Sequence, residues 1–288
     1  MTVLGRGNAN GGVSVLHAAG LGKGCSIGIE LSTEVCLVAG EAVVSHDEHG
    51  ILDSVMAVWV ESGYPRPDDT GWRVSSEVPI GQGLKSSAAL ACAAVLALND
   101  ASWTALSDFD IVDIAVAAQR RAGCTITGCM DDAWAAISPG WKLVDPIQSS
   151  RDSVLLEGDI DDGLTVLIAL RGPRLAKVQS DSFTDQKKLF ERAMASLSNG
   201  SILDAMSANG MAVAAATGDD EALRICNSVI TRGAIAAGVS GSGPAISIVC
   251  YEQDSEQLTE LLTESGMQVI HSRFIESEPV GEEASPWG

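Results

Sequence analysis

The residues best suited to chemistry form a glycine-rich segment between a predicted strand and a predicted helix. This segment, the phosphate loop, consists of Pro79, Ile80, Gly81, Gln82, Gly83, Leu84, Lys85, Ser86, Ser87, Ala88 and Ala89. Glycine lets the backbone approach an anion closely, and the free N–H groups at the start of a helix attract negative charge. We predict that the loop binds phosphate, that Ser86 or Ser87 caps the helix, and that the Ser86 hydroxyl reaches a magnesium ion.

The phosphate loop departs from two common nucleotide-binding motifs. A Walker A loop has glycine before its lysine, where this chain has Leu84, and a dinucleotide fingerprint has glycine where this chain has Ser86. An isolated Gly-x-Gly would more simply indicate a turn before a serine-capped helix. The complete string of residues favours the phosphate-binding interpretation.

Two adjacent carboxylates, Asp131 and Asp132, stand in the segment 125–133, which reads TITGCMDDA. A positioned carboxylate can accept or orient the proton of an attacking hydroxyl group. The alternative is a solvated acidic pair at a turn, because the chain carries 38 acidic residues in all. The pair is therefore a catalytic candidate only in combination with the phosphate loop.

Acidic residues are absent from four windows that make up a third of the chain, namely 1–29, 78–99, 163–180 and 225–251. The same windows contain the cations Arg6, Lys23, Lys85, Arg171, Arg174, Lys177 and Arg232. One explanation is that buried strands and helices lack charge in any case. The other, which we favour, is that these windows converge on an anion site, because nearby carboxylates would repel phosphate.

The overall composition predicts a folded protein that binds neither nucleic acid nor membranes. The chain has 288 residues, 46% of them hydrophobic, and a formal net charge of −20. This acidity opposes binding to nucleic acids and anionic lipids. The longest apolar run, Ala88–Leu98, is 11 residues, against about 20 for a membrane span. Seven cysteines without a CxxC pair and the absence of a signal-peptide pattern indicate reduced thiols and a cytoplasmic location.

The hydrophobic spacing predicts an α+β protein in which strands and helices alternate, most clearly in the second half. Predicted helices are Leu52–Val60, Ser86–Leu98, Phe109–Arg120, Ser255–Glu264 and stretches near 185–197, 202–216 and 219–231. Predicted strands are Val13–Leu16, Trp72–Val78, Leu164–Leu170, Ala245–Tyr251, Met267–Ile275 and one or two within Cys25–Ser45. The polar, acidic stretch 150–162 divides the chain into domains 1–155 and 156–275, followed by an acidic tail, 276–288.

Four segments together resemble the motifs of the GHMP kinases, the galacto-, homoserine, mevalonate and phosphomevalonate kinases. They are the phosphate loop, residues 7–14 (GNANGGVS), residues 125–133 and residues 238–245 (GVSGSGPA). They occur in the family's order and span nearly the whole chain. Within the family, the strings ITGxxDDA and SGxGPA are most similar to the archaeal shikimate kinases.

The resemblance implies an N-terminal domain similar to domain 2 of ribosomal protein S5 and a ferredoxin-like C-terminal domain. It implies that ATP, with Mg²⁺, phosphorylates a small molecule, shikimate, between the two domains. By analogy Asp131 is the catalytic carboxylate, and the loop of Ser240, Gly241, Ser242 and Gly243 closes over the acceptor. Candidate ligands for the hydroxyls of shikimate are Asn10, Ser14 and His17. Candidates for its carboxylate are Arg171 and Arg174, because guanidinium groups bind carboxylates through two hydrogen bonds.

The chain departs from the family pattern at two positions. The lysine that partners the catalytic aspartate in relatives is missing from the N-terminal motif. Either Lys23 or Lys85 supplies the positive charge instead, or the site has no such cation. The magnesium-binding glutamate of relatives is replaced by the sequence Gln119-Arg120-Arg121. Three alternatives therefore stay open: another acceptor, such as homoserine or mevalonate, a catalytically silent ligand sensor, or a purely structural phosphate-binding domain.

Overall fold

The computed structural model describes residues 2–40, 47, 49–161, 163–173 and 180–276. The strands are β1 (Val3–Leu16), β2 (Gly24–Ala39), β3 (Thr70–Ser76), β4 (Trp141–Val144), β5 (Val154–Gly158), β6 (Leu164–Leu170), β7 (Ala236–Val239), β8 (Ile246–Tyr251) and β9 (Gln268–Arg273). The helices are α1 (Ala18–Leu21), α2 (Ile51–Glu61), α3 (Ser86–Ser102), α4 (Asp108–Ala122), α5 (Asp131–Ile137), α6 (Ser150–Ser153), α7 (Ser180–Asp185), α8 (Lys187–Ser198), α9 (Ile202–Thr217), α10 (Asp220–Ile230) and α11 (Glu252–Glu264).

The first sheet is antiparallel, with β1, β2, β4 and β5 in spatial order and β3 also paired with β2. Strand β2 can hold three partners because it is 16 residues long. Its first residues pair with β4, its last residues pair with β3, and β1 runs along its whole length. The sheet therefore brings residues from distant parts of the sequence beside one strand.

Strand β1 is longer than the sequence pattern predicts, since it begins at Val3 rather than at Val13. The glycines that conceal its periodicity have a packing role. A Cβ atom at Gly5 or Gly7 would overlap the backbone of α3 at Ala97 or Ala93. Glycine at these positions therefore lets the strand lie directly against the helix.

Helix α3, which follows the phosphate loop, lies in the centre of the N-terminal half. Ten of its residues between Ala88 and Leu98 are buried, as its uniformly apolar sequence predicts. Its alanines allow β1, β2, α2, α4 and α5 to approach closely. The start of α3, and with it the phosphate loop, is held in place by this packing.

The second sheet is antiparallel in the order β7, β8, β6 and β9. With helices between β6 and β7 and between β8 and β9, this is the order of a ferredoxin-like sheet. The predicted α+β architecture with a ferredoxin-like C-terminal half is confirmed. Strand β5 still pairs with β4, so the first sheet continues to Gly158, three residues beyond the predicted boundary.

One hydrophobic core joins the two halves of the molecule. It contains Val13 and Ile27 of the first sheet together with Ile168 and Ile246 of the second. Helix α9 packs against both β1 and β7. This shared core holds the phosphate loop of the first half and the glycine loop 240–243 of the second in a defined relative position.

Most predicted helices and strands occur within a few residues of their expected places. Helix α4 is capped by Ser107, whose side chain accepts a hydrogen bond from the N–H of Asp110. The pattern does not predict β4 or α5, because four and seven residues are too few to show a period. All but residue 276 of the predicted acidic tail lies outside the described residues.

Candidate active site

A cavity of about 330 Å³ opens where the phosphate loop meets the glycine loop 240–243. Its polar lining includes Lys85, Ser86, Asp132 and Gly241. Its apolar lining includes Ile51, Val74, Ile80 and Leu90. A cavity with apolar walls and a few convergent polar groups is typical of a small-molecule site.

The phosphate loop reaches α3 through three residues with positive φ, namely Gly81 (72°), Gly83 (80°) and Lys85 (66°). Lys85 is the N-cap residue, and its side chain makes no capping hydrogen bond. The prediction of a serine cap is wrong, because Ser86 and Ser87 are already the first residues of the helix. Because the Lys85 side chain does not cap them, the N–H groups of the first turn are suited to bind an anion.

The glycine loop is joined directly to the phosphate loop. The Ser240 hydroxyl donates a hydrogen bond to the carbonyl oxygen of Gly83 at 2.9 Å, and the Gly241 N–H donates one to Ser14 Oγ at 3.1 Å. The Ala245 N–H also donates to the carbonyl oxygen of Gln82 at 3.2 Å. Three of the four motif segments therefore meet here.

The two adjacent aspartates differ in their environment. Asp131 is only 5% exposed, and its Oδ2 accepts a hydrogen bond from the Ser26 hydroxyl at 2.7 Å. Asp132 lines the cavity, and its Oδ1 lies 3.1 Å from the same hydroxyl and 2.7 Å from Lys85 Nζ. Burial, together with the charge of Asp132, raises the pKa of Asp131 to about 6, although Lys85 opposes the shift.

Lys85 is the cation that accompanies the aspartates. Its side chain is 8% exposed, and Nζ also donates a hydrogen bond to Ser14 Oγ at 2.8 Å. Burial alone would lower the pKa of Lys85, but the charges of Asp132 and Asp131 outweigh it and raise the pKa. Lys23, the other candidate, pairs with Asp145 at 2.8 Å instead.

Gln119 stands where relatives are expected to have a magnesium-binding glutamate. It lines the cavity, is 4% exposed, and its Oε1 accepts a hydrogen bond from the Ser87 hydroxyl at 3.3 Å. Within the described ranges, no group of three His, Cys, Asp or Glu side chains is arranged to hold a metal ion. The Ser86 hydroxyl and the Gln119 amide oxygen, both on the cavity wall, are oxygen donors of the type that magnesium binds.

The other predicted ligands of the acceptor are not all at the cavity. Ser14 and His17 lie at or beside it, whereas Asn10 is paired with Ser32 in the β1–β2 ladder and is not a lining residue. Arg171 forms a bidentate ion pair with Asp219, in which its two terminal guanidinium nitrogens lie 2.6 and 2.9 Å from the carboxylate oxygens.

The Arg171 guanidinium also reaches Glu221 at 2.9 Å. It is therefore engaged by carboxylates of its own chain and holds the end of β6 to α10. Arg174, the second candidate for the acceptor carboxylate, lies outside the described residues.

Two buried polar residues at the site carry no sequence motif. Ser26, in the middle of β2, bridges both aspartates, and Asn209 of α9 accepts a hydrogen bond from the backbone N–H of His17 at 2.8 Å. A serine within a strand and an asparagine within a helix give no local signal of function. Only their contacts reveal them.

Comparison with known proteins shows which class of protein this chain belongs to. A family model described as the GHMP kinases N terminal domain matches residues 56–140, which include the phosphate loop and both aspartates. The mevalonate kinase of Methanococcus jannaschii has the same fold, with a TM-score of 0.74 at 13% identity, covering 94% of this chain and 98% of that protein. Together with the full-length relatives described next, this match shows that the chain belongs to the GHMP kinase family.

Within this family the chain is similar to archaeal shikimate kinases. The shikimate kinase of Pyrococcus abyssi is 30% identical over 262 residues, which cover 87% of this chain and 93% of that protein. The shikimate kinase of Thermococcus kodakarensis is 31% identical over 274 residues, covering 90% and 98%. The resemblance inferred from the four motifs is confirmed.

All seven cysteines are free thiols, and all but Cys124 are buried. In the part of the chain that the structure describes, every helix is too short or too polar to cross a membrane.

Proposed function

We propose that this protein transfers the γ-phosphoryl group of ATP to a hydroxyl group of shikimate, giving shikimate 3-phosphate. The observation that carries the proposal is the cavity in which the start of α3 and the Lys85–Asp132 pair face a common space. Such a space can hold a phosphate donor and a hydroxyl acceptor side by side. The acceptor is proposed from the relatives named shikimate kinase, which match this chain over nearly their whole length.

The donor end of the site is the phosphate loop. The N–H groups of the first turn of α3 bind the phosphates of ATP, and the glycines at 81 and 83 leave the backbone accessible. The Ser86 hydroxyl, with the Gln119 amide oxygen nearby, would hold the magnesium ion that accompanies ATP. Magnesium neutralises part of the phosphate charge, and the protein contributes alignment. The apolar wall formed by Ile51, Val74 and Leu90 suits the nucleoside.

The acceptor end of the site is the carboxylate pair. Phosphoryl transfer needs the attacking hydroxyl in line with the leaving group and one acceptor for its proton. The Asp131–Asp132 pair supplies this acceptor, and Lys85 keeps the pair charged near the phosphates.

Specificity for shikimate needs contacts to three hydroxyls and one carboxylate. His17, Gly241 and Ser242 line the cavity and are proposed to bind the hydroxyls, with Ser14 beside Gly241. Arg174 is proposed to bind the carboxylate. Arg171 is not proposed as an acceptor ligand, because Asp219 and Glu221 already occupy its guanidinium group.

The deciding experiment measures ADP release with Mg·ATP and shikimate, homoserine or mevalonate as the acceptor. We expect release with shikimate alone, together with a phosphorylated product. The double variant D131N/D132N, which should still bind ATP, is the control that assigns the activity to this site. ATP binding without turnover of any acceptor would favour a ligand sensor, and turnover of another acceptor would replace shikimate.

A further inference from the structure

The segment that follows β6 is joined to both loops of the site. Its Gly172 carbonyl oxygen accepts a hydrogen bond from Nε2 of Gln82, in the phosphate loop, at 3.0 Å. Arg171 Nη1 lies 3.5 Å from the carbonyl oxygen of Pro244, directly after the glycine loop 240–243. The Ala245 N–H in turn donates to the carbonyl oxygen of Gln82 at 3.2 Å. The phosphate loop, the glycine loop and the segment after β6 are therefore joined in pairs.

Gln82 makes two of these three contacts, one through its backbone and one through its side chain. A carbonyl oxygen accepts but cannot donate, so Nε2 rather than Oε1 of the Gln82 amide faces Gly172. Oε1 is buried, and within the described part of the chain it has no hydrogen-bond partner. A buried amide oxygen without a donor costs free energy. What the amide adds over a nonpolar side chain of the same length is therefore the hydrogen bond to Gly172.

The two neighbours of Gln82 in the chain expose its backbone to the cavity. Gly81 and Gly83 both line the cavity. The space around a Cβ atom at Gly81 is open, whereas a Cβ atom at Gly83 would overlap the Ser240 carbonyl oxygen. Because neither glycine has a side chain, phosphate groups in the cavity can reach the backbone on both sides of Gln82. A ligand bound there therefore acts on the position of Gln82 directly.

The segment after β6 leads towards the proposed acceptor ligand. Gly172 lies two residues before Arg174, which is proposed above to bind the carboxylate of the acceptor. The ion pair of Arg171 with Asp219 holds this segment to the C-terminal half of the molecule. The hydrogen bond from Gln82 holds it to the loop proposed to bind the phosphates. The position of Gly172 therefore depends on the conformation of the phosphate loop.

We propose that Gln82 is a positioning residue through which ATP and the acceptor strengthen each other's binding. This inference rests on the proposed function and concerns the same site. ATP on the phosphate loop fixes the backbone around Gln82, and the Gln82 side chain transmits this order to Gly172. The conformational entropy of residues 171–173 has then already been lost when the acceptor binds. Because binding free energies are linked, the acceptor strengthens ATP binding by the same factor.

The test compares the wild type with Q82M, whose side chain has nearly the same length but no N–H to donate. Titration calorimetry measures the Kd for shikimate with and without Mg²⁺ and the β,γ-imido analogue of ATP. We expect the analogue to lower this Kd in the wild type by about fivefold or more. In Q82M the factor should be about 2 to 10 times smaller, the effect of one hydrogen bond. The Kd for the analogue alone should not change, because Q82M keeps the backbone contacts of the loop.

Q268M is the matched control, because Gln268 is exposed and pairs with Leu170 at the end of β6. It makes the same chemical change beside the same segment and should couple the two ligands as the wild type does. Two results would overturn the inference. One is a shikimate Kd of the wild type that does not respond to the analogue. The other is a Q82M variant that keeps the full factor, or that loses affinity for both ligands equally when each binds alone.

Hydrogen–deuterium exchange provides a readout that needs no acceptor. In the wild type and Q268M, the ATP analogue should slow exchange at the amides of residues 171 and 172 by about two- to tenfold. In Q82M this slowing should be lost, and equal slowing in Q82M and the wild type would also overturn the inference. If the wild type releases no ADP with shikimate, it is the proposed function that fails. An active wild type with unchanged coupling in Q82M rejects only the role of Gln82.

Discussion

Ser240 and Gly83 are joined across the two halves of the protein, with the Ser240 hydroxyl 2.9 Å from the carbonyl oxygen of Gly83. The backbones also touch, since a Cβ atom at Gly83 would overlap the Ser240 carbonyl oxygen. A Cβ atom at Gly241 would lie 2.8 Å from the carbonyl oxygen of Gly83. The phosphate loop and the glycine loop therefore depend on each other for their conformation.

This contact predicts different effects for two glycine substitutions. Gly81 and Gly83 both have positive φ, so alanine costs about 1 kcal/mol of backbone strain at either position. At Gly81 the space around a Cβ atom is open, whereas at Gly83 the Ser240 backbone blocks it. G83A should therefore raise the KM for ATP by about tenfold or more, equivalent to about 1.4 kcal/mol, and G81A should change it little. Equal KM values for ATP in G83A and G81A would contradict this prediction.

Lys85 should be replaceable by another cation but not by a neutral side chain. K85M leaves two neighbouring carboxylates without their buried partner. Removal of one member of a buried ion pair lowers the free energy of unfolding by about 3 to 5 kcal/mol. We expect K85M to lose most of its kcat and K85R to recover part of it, with the KM for shikimate similar in both. If K85M and K85R are equally impaired in kcat, the charge of Lys85 is not what matters.

The raised pKa of Asp131 predicts a dependence of stability on pH. Burial and the charge of Asp132 raise the pKa from an ordinary 3.8 to about 6 in the folded protein. Between pH 3.8 and about 6, Asp131 has released its proton in the unfolded chain but retains it in the folded protein. The contribution of Asp131 to stability is therefore present below about pH 4 and is lost as the pH rises through 6.

Replacement of Asp131 by asparagine removes this loss. D131N should raise the free energy of unfolding at pH 7 by about 1 to 3 kcal/mol, one pKa unit being worth about 1.4 kcal/mol. The gain over wild type should disappear near pH 4. Denaturant unfolding of both proteins at pH 4, 5.5 and 7 measures it, with S26A as a control that changes a neighbour but no charge. A gain that is the same at all three pH values would argue against a raised pKa.

The two arginines after β6 should have separable roles. R174A should raise the KM for shikimate far more than the KM for ATP, because the guanidinium group is proposed to bind only the acceptor carboxylate. R171A breaks the ion pair with Asp219 that joins the end of β6 to the start of α10, so it should lower thermal stability and raise both KM values. Steady-state kinetics and thermal unfolding of both variants make the comparison. If R174A raises the KM values for shikimate and ATP equally, Arg174 does not bind the acceptor carboxylate.

Local features of the chain are enough to predict the donor half of the site. The phosphate loop, the buried Ala-rich helix and the strand Leu164–Leu170 each depend on neighbouring residues, through glycine conformations, helix termini and hydrophobic spacing. These properties depend on interactions between residues that are close in the chain, so the amino-acid order alone is enough to predict the elements. The family motifs extend the same information to the ferredoxin-like topology.

The tertiary structure decided which charges meet. Lys85 and Asp132 are 47 residues apart, and Ser26 reaches both aspartates only because of how β2 packs against α5. Lys23 has the same charge as Lys85, but the pairing of β2 with β4 places it beside Asp145. The choice between two lysines, or between two adjacent aspartates, depends on packing geometry and burial. These properties arise only when the distant segments share one core.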